Sequence, residues 1–125
     1  MNYKGTIIEE SLSDPDILKE LNIVSAKVEL VTERHKTPWL SQWTLHDVEI
    51  LESKAEEIAE KIKKALDLKY WYADFKNDRY HFIIFGEKIF RVDLSNPVLY
   101  LEARQYGVSL GIPGYQLDFE LNERR

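Results

Sequence analysis

The sequence contains no cysteine. That absence excludes disulfides, thiolate metal sites, iron–sulfur ligation and thiol catalysis together. It also leaves apolar burial to offset chain entropy without a covalent staple. No window approaches the roughly 18 uncharged apolar residues that a spanning helix needs. The opening Met1-Asn2-Tyr3-Lys4-Gly5 runs into a strand-like pattern with no signal-peptide core, so a cytoplasmic protein is expected and no membrane partner. Excess positive charge is missing too. The balance of 17 Lys and Arg against 22 Asp and Glu gives −5, which disfavours non-specific attraction to phosphate backbones. Lys63, Lys64 and Lys69 lie close in sequence, but no aromatic residue interleaves them.

Familiar chemical signatures are absent as well. Gly107, Gly111 and Gly114 do not form a dinucleotide fingerprint, and no phosphate loop, nucleophile elbow, zinc-protease helix or calcium loop is visible. Ser41 and Ser109 are single hydroxyls without a base in the pattern. No cofactor is expected.

What is present suffices for one core. The chain has 125 residues, 44% apolar and 31% charged, a size and mixture suited to a single compact domain over residues 1–125. Lys4 to Leu12 reads as a first strand, and Ser13-Asp14-Pro15 as the start of a short helix with Ile17, Leu18 and Leu21 on its apolar side. Alternation from Val24 to Val31 predicts a half-exposed strand. Thr32 to Gln42 breaks the pattern and reads as a loop, after which Trp43 to Leu51 resumes as a strand. A helix is predicted from about Lys54 to Leu66, with Ser53 and Glu56 at capping-box spacing and a stripe of Ala55, Ile58, Ala59, Ile62, Ala65 and Leu66.

Three strands are predicted next, at Tyr70–Lys76, Arg79–Phe85 and Lys88–Asp93, joined by tight turns at Asn77-Asp78 and Gly86-Glu87. A further helix is bracketed by Ser95 or Asn96, Pro97 and a Gly107 exit, with Leu99, Ala103 and Tyr106 on one side. Tyr115–Phe119 reads as an edge strand. Adjacent strands with two-residue turns must be antiparallel, so the expected class is α+β: a mostly antiparallel sheet with about three helices packed mainly on one face.

The predicted turn at Asn77-Asp78 sets Lys76 against Arg79 and Asp74 against His81. The opposite face, where Trp71, Ala73 and Phe75 line up with Ile84, Phe82 and Tyr80, supports this register. An Asp–His pair can hold one imidazole tautomer and raise its basicity, which makes His81 and Asp74 the candidate catalytic residues. His35 and His46 can join them around a metal, although their separations match no standard ligand spacing, and no metal is assigned. The plain alternative is an exposed cross-strand pair with two unrelated histidines. Trp39, Trp43, His46 and Tyr72 are the candidate ligand-binding residues, because rigid rings near the histidines can wall a pocket or form a protein contact. Core-closing tryptophans are the alternative, with Trp71 the firmest core assignment.

Four stretches, Lys4–Leu12, Thr37–His46, Trp71–Asp78 and Tyr106–Pro113, resemble a family of small uncharacterised prokaryotic proteins with no assigned activity. The resemblance implies a complete, free-standing prokaryotic cytosolic protein and carries no catalytic residue. Three functions are therefore weighed. A small binding or interaction protein, using the aromatic loop and a sheet face to hold a protein or small molecule, leads. A hydrolase or proton-transfer enzyme using His81 and Asp74, with or without a metal, is the alternative. A single-stranded nucleic-acid module is third, poorly supported by the acidic balance. An unpaired C-terminal edge strand can support a homodimer.

Overall fold

Six extended segments pair into one antiparallel sheet in the computed structural model, which describes residues 1–32, 41–67, 71–96, 98–112 and 117. The strands are β1 (Tyr3–Ile8), β2 (Asn22–Leu30), β3 (Gln42–Ile50), β4 (Tyr72–Lys76), β5 (Tyr80–Phe85) and β6 (Ile89–Asp93). Their order is β2-β3-β1-β4-β5-β6, so β1 sits between a long hairpin and a three-stranded meander. Two α-helices, α1 (Ala55–Ala65) and α2 (Leu99–Ser109), and short 3₁₀ segments complete the α+β fold expected from the sequence.

Strand alternation divides the interior in two. On one face Tyr3, Ile7, Val48, Ile50, Ala73, Phe75, Phe82 and Ile84 meet the α1 stripe of Ala55, Ile58, Ala59, Ile62 and Ala65, and the 3₁₀ segment Pro15–Glu20 adds Ile17. On the other face Ile83, Phe85, Phe90 and Val92 pack with Tyr100 and Ala103 of α2. Strand β5 is therefore covered on both sides. Among the described residues the second cover stops at the β4–β6 half of the sheet, which leaves the polar face of β1 and β3 open.

Several local expectations change for identifiable reasons. The first strand ends at Ile8 rather than Leu12, because the Ser11 hydroxyl donates to the Ile8 carbonyl at 2.6 Å and a 3₁₀ segment, Glu9–Ser11, replaces the ladder. The Ser53–Glu56 capping box does not form. Ser53 lies inside a 3₁₀ segment, Glu52–Lys54, so Lys54 takes the cap position without a side-chain bond. Helix α2 begins after Val98, and the Ser95 hydroxyl donates instead to Asp93 at 2.7 Å.

The exit of α2 also moves. Gly107 is inside the helix, and Gly111 at φ 92° makes the turn. There the Ile112 N–H donates to Gly107 O and the Gly111 N–H to Val108 O, the paired bonds of a Schellman ending. The predicted strand Tyr115–Phe119 lies outside the described residues except for Leu117, which is buried.

The turn between β4 and β5 shifts by one residue. Asn77 closes it by accepting the N–H groups of Arg79 and Tyr80 on its side-chain oxygen, at 2.8 and 2.9 Å, while its own N–H donates to Tyr80 O. Asp78 and Arg79 thus become the turn residues. Cross-strand partners slip by two: Lys76 faces His81, Asp74 faces Ile83, and Phe75 faces Phe82. A slip of two preserves which face each side chain occupies.

Candidate functional site

Face preservation keeps Asp74 and His81 together as a diagonal pair across β4 and β5. His81 Nε2 lies 2.7 Å from Asp74 Oδ2, and His81 Nδ1 lies 2.7 Å from the Tyr100 hydroxyl. The expected contact is present, but it is not exposed: His81 is 0% and Asp74 4% accessible. A carboxylate only accepts, so Nε2 carries a hydrogen toward Asp74, and in the neutral ring Nδ1 accepts from Tyr100 O–H. The three groups form a polar clasp between the sheet and α2.

Full burial changes what His81 can do. Both ring nitrogens are engaged by side chains of the fold, which leaves the imidazole no direct route to a substrate atom. Asp74 differs in being among the residues that line a concavity on the open half of the same face, although its side chain is only 5% accessible. Tyr100 was absent from the sequence candidates. The spacing of Tyr100, Ala103 and Gly107 along one helical face was the available signal, since a buried tyrosine hydroxyl usually needs a partner.

The remaining candidates separate. His46 shares the α1 side of the sheet with Val48 and Ile50, opposite the face of His81, so the two histidines do not meet. Its Nε2 lies 2.8 Å from Glu9 Oε1, and the adjacent Glu10 carboxylate accepts from Thr44 N at 2.6 Å and Thr44 Oγ1 at 2.8 Å. These bonds fasten the Glu9–Ser11 segment to β3. Trp43 is half-buried and tilts against buried Trp71 with ring centroids 5.4 Å apart. Tyr72 packs against Phe85 on the α2 side. Trp39 and His35 lie outside the described residues. Among the described residues no group of three His, Asp or Glu side chains is placed to hold a metal ion.

The concavity encloses about 800 Å³ over β1, β3 and β4, with Lys4, Thr6, Ser25, Asp47, Asp74 and Lys76 in its lining. Asp47 anchors the β3 side, accepting from the Thr6 hydroxyl at 2.8 Å and the Ser25 hydroxyl at 2.9 Å. Lys4 and Lys76 stand directly opposite each other on β1 and β4. Among the described residues neither ammonium group makes an ion pair or a side-chain hydrogen bond. Like charges in directly opposed positions disfavour the sheet, by roughly the 0.2–1 kcal/mol typical of cross-strand pairs, while on its other side Lys4 stands opposite Glu49 of β3. No family model, curated protein or solved structure matches the chain.

Proposed function

We propose that the chain is a small binding protein whose open sheet face takes a small anionic ligand, carrying a carboxylate or phosphate group, between Lys4 and Lys76. The observation that carries this reading is the opposed lysine pair, neither ammonium ion-paired among the described residues, in the lining of a concavity that also carries Asp47, Glu49, Asp74 and Asp78. An oxyanion there relieves the repulsion and receives two charge-assisted hydrogen bonds. The sheet sets the spacing of the two lysine backbones, and the carboxylates of Asp47, Glu49, Asp74 and Asp78 in the same lining select against ligands whose negative charge spreads along the groove. This reading uses the sheet face rather than the aromatic loop.

Titration with inorganic phosphate and with citrate, followed by amide chemical shifts at constant ionic strength, tests the proposal. Shifts are expected to cluster on β1 and β4. Lys4→Gln and Lys76→Gln are each expected to weaken binding about tenfold or more, from the roughly 1.5–3 kcal/mol of a hydrogen bond to a charged group. Unchanged spectra at tens of millimolar of both probes would overturn it.

A proton-transfer role has one specific observation in its favour. Asp74 lines the concavity and is backed by His81, which reverses the roles expected from the sequence: Asp74 meets the substrate, and His81 is a positioning residue. If that chemistry occurs, Asp74→Asn abolishes turnover of an ester or phosphoester substrate while ligand-induced amide shifts persist. Retained turnover in a folded Asp74→Asn protein rules it out.

A further inference from the structure

Strand β2 is nine residues long and has a strand partner, β3, on one side only among the described residues. Nearly all of it is exposed, with Val24, Val28 and Leu30 at 65%, 56% and 78%. A long edge with apolar side chains is a template for another strand. Its own sequence says which strand fits.

The Val31 N–H donates to Ser41 O. Backbone groups alternate along a strand, so the odd residues of β2 point toward β3. The N–H and C=O of Ala26, Val28 and Leu30 point away from the sheet. The ladder with β3 is irregular between Ile23 and Ser25 and β2 ends at Leu30. The regular, outward-facing stretch thus runs from Ala26 to Leu30, with Val28 at its centre.

We infer that β2 pairs antiparallel with β2 of a second copy of this chain about a two-fold axis through Val28, joining two sheets into one. In that register Ala26 faces Leu30 of the partner subunit, Val28 faces the partner's Val28, and roughly six inter-chain N–H···O bonds form. On the other face Lys27 meets Glu29 of the partner subunit, and the same pair recurs across the axis. The neighbouring symmetric registers are electrostatically wrong. Centring on Lys27 opposes two lysines, and centring on Glu29 opposes two glutamates, each an unfavourable like-charge pair. Within one chain Lys27 and Glu29 stand 3.6 Å apart, a surface contact of small energy, and the inter-chain register repeats the same opposite-charge pairing across the axis. A two-fold interface needs a self-complementary patch, and this five-residue stretch is one in backbone, charge and shape.

Sedimentation velocity from low micromolar to millimolar concentration tests the assignment. The wild type is expected to shift with concentration from the 14.8 kDa monomer toward twice that mass. Lys27→Glu and Glu29→Lys are each expected to weaken association at least tenfold, since each places like charges across the axis twice. The double swap, Lys27→Glu with Glu29→Lys, is expected to restore it. Lys27 is exposed and Glu29 partly buried, so circular dichroism at each concentration checks that all three variants are folded before their association is compared. A wild type that stays monomeric throughout overturns the inference. So does a dimer that ignores the single reversals, or one that the double swap fails to rescue.

Discussion

Replacing His81 with leucine is expected to destabilise the fold by roughly 3–5 kcal/mol, the usual cost of removing the partner of a buried ionised group. The ring fills a site with no solvent access and bonds both Asp74 and Tyr100. Leucine conserves much of the volume but removes both bonds, so the buried Asp74 carboxylate and the Tyr100 hydroxyl lose the His81 ring as a partner. Domains are commonly stable by only about 5–15 kcal/mol, so the variant is expected to lie near its unfolding midpoint at modest urea concentrations. Full replacement is milder than partial replacement. The triple variant Asp74→Val, His81→Leu, Tyr100→Phe is expected to recover part of the loss, because both ends of the Asp74–His81 and His81–Tyr100 bonds are then removed together. Urea unfolding of wild type, single and triple variants measures both effects. A cost below about 1 kcal/mol for His81→Leu would mean that the clasp does not hold α2 to the sheet.

Gly5→Ala is the second large effect. A Cβ at this position would sit 2.2 Å from the Asp74 carbonyl oxygen and 2.9 Å from the Phe75 Cα. Both are backbone atoms of β4, so no side-chain rotation relieves the overlap, and β1 and β4 must separate. The expected cost is about 3 kcal/mol or more, at the upper end for overpacking. Gly107→Ala supplies the contrast. There the near atoms, at 2.7 and 2.9 Å, are the terminal carbons of Leu117, which can turn away. Alanine also gains up to about 1 kcal/mol of helix propensity over glycine, so the net change is expected to stay within about 1 kcal/mol. Thermal unfolding of the two variants in parallel tests the distinction between a backbone obstacle and a side-chain one. Equal midpoints would refute it.

The comparison between these sites also shows how far sequence reasoning reaches. The inward and outward sets of β4 and β5 were legible because alternation has a period of two. Asp74 and His81 could therefore be assigned to one face before their register was known. The register itself depended on Asn77 using its side-chain oxygen to close the turn, a choice that Asn77-Asp78 as a dipeptide does not announce. The α1 stripe was legible from its spacing, whereas its cap was not, because the 3₁₀ segment before it depends on how the chain leaves β3. His46 could be placed on the Val48 face of its strand. That this face lies opposite His81 follows only from the insertion of β1 between β3 and β4. The same long-range pairing brings Lys4 to Lys76, two residues that no local pattern connects. The alternation of β2 was read correctly as a strand, but edge position, and hence its exposure, is a property of strand order.

Strand order carries one more consequence. The hairpin of β2 and β3 and the meander of β4, β5 and β6 have no direct ladder between them; each hydrogen-bonds to a different side of β1. The segment that precedes the other five strands in the chain is thus the seam on which two later blocks converge. It must wait, unzipped on one or both sides, until some seventy residues have followed. Completion of the sheet is for this reason a late, long-distance closure, even though most of its ladders join neighbours in the chain.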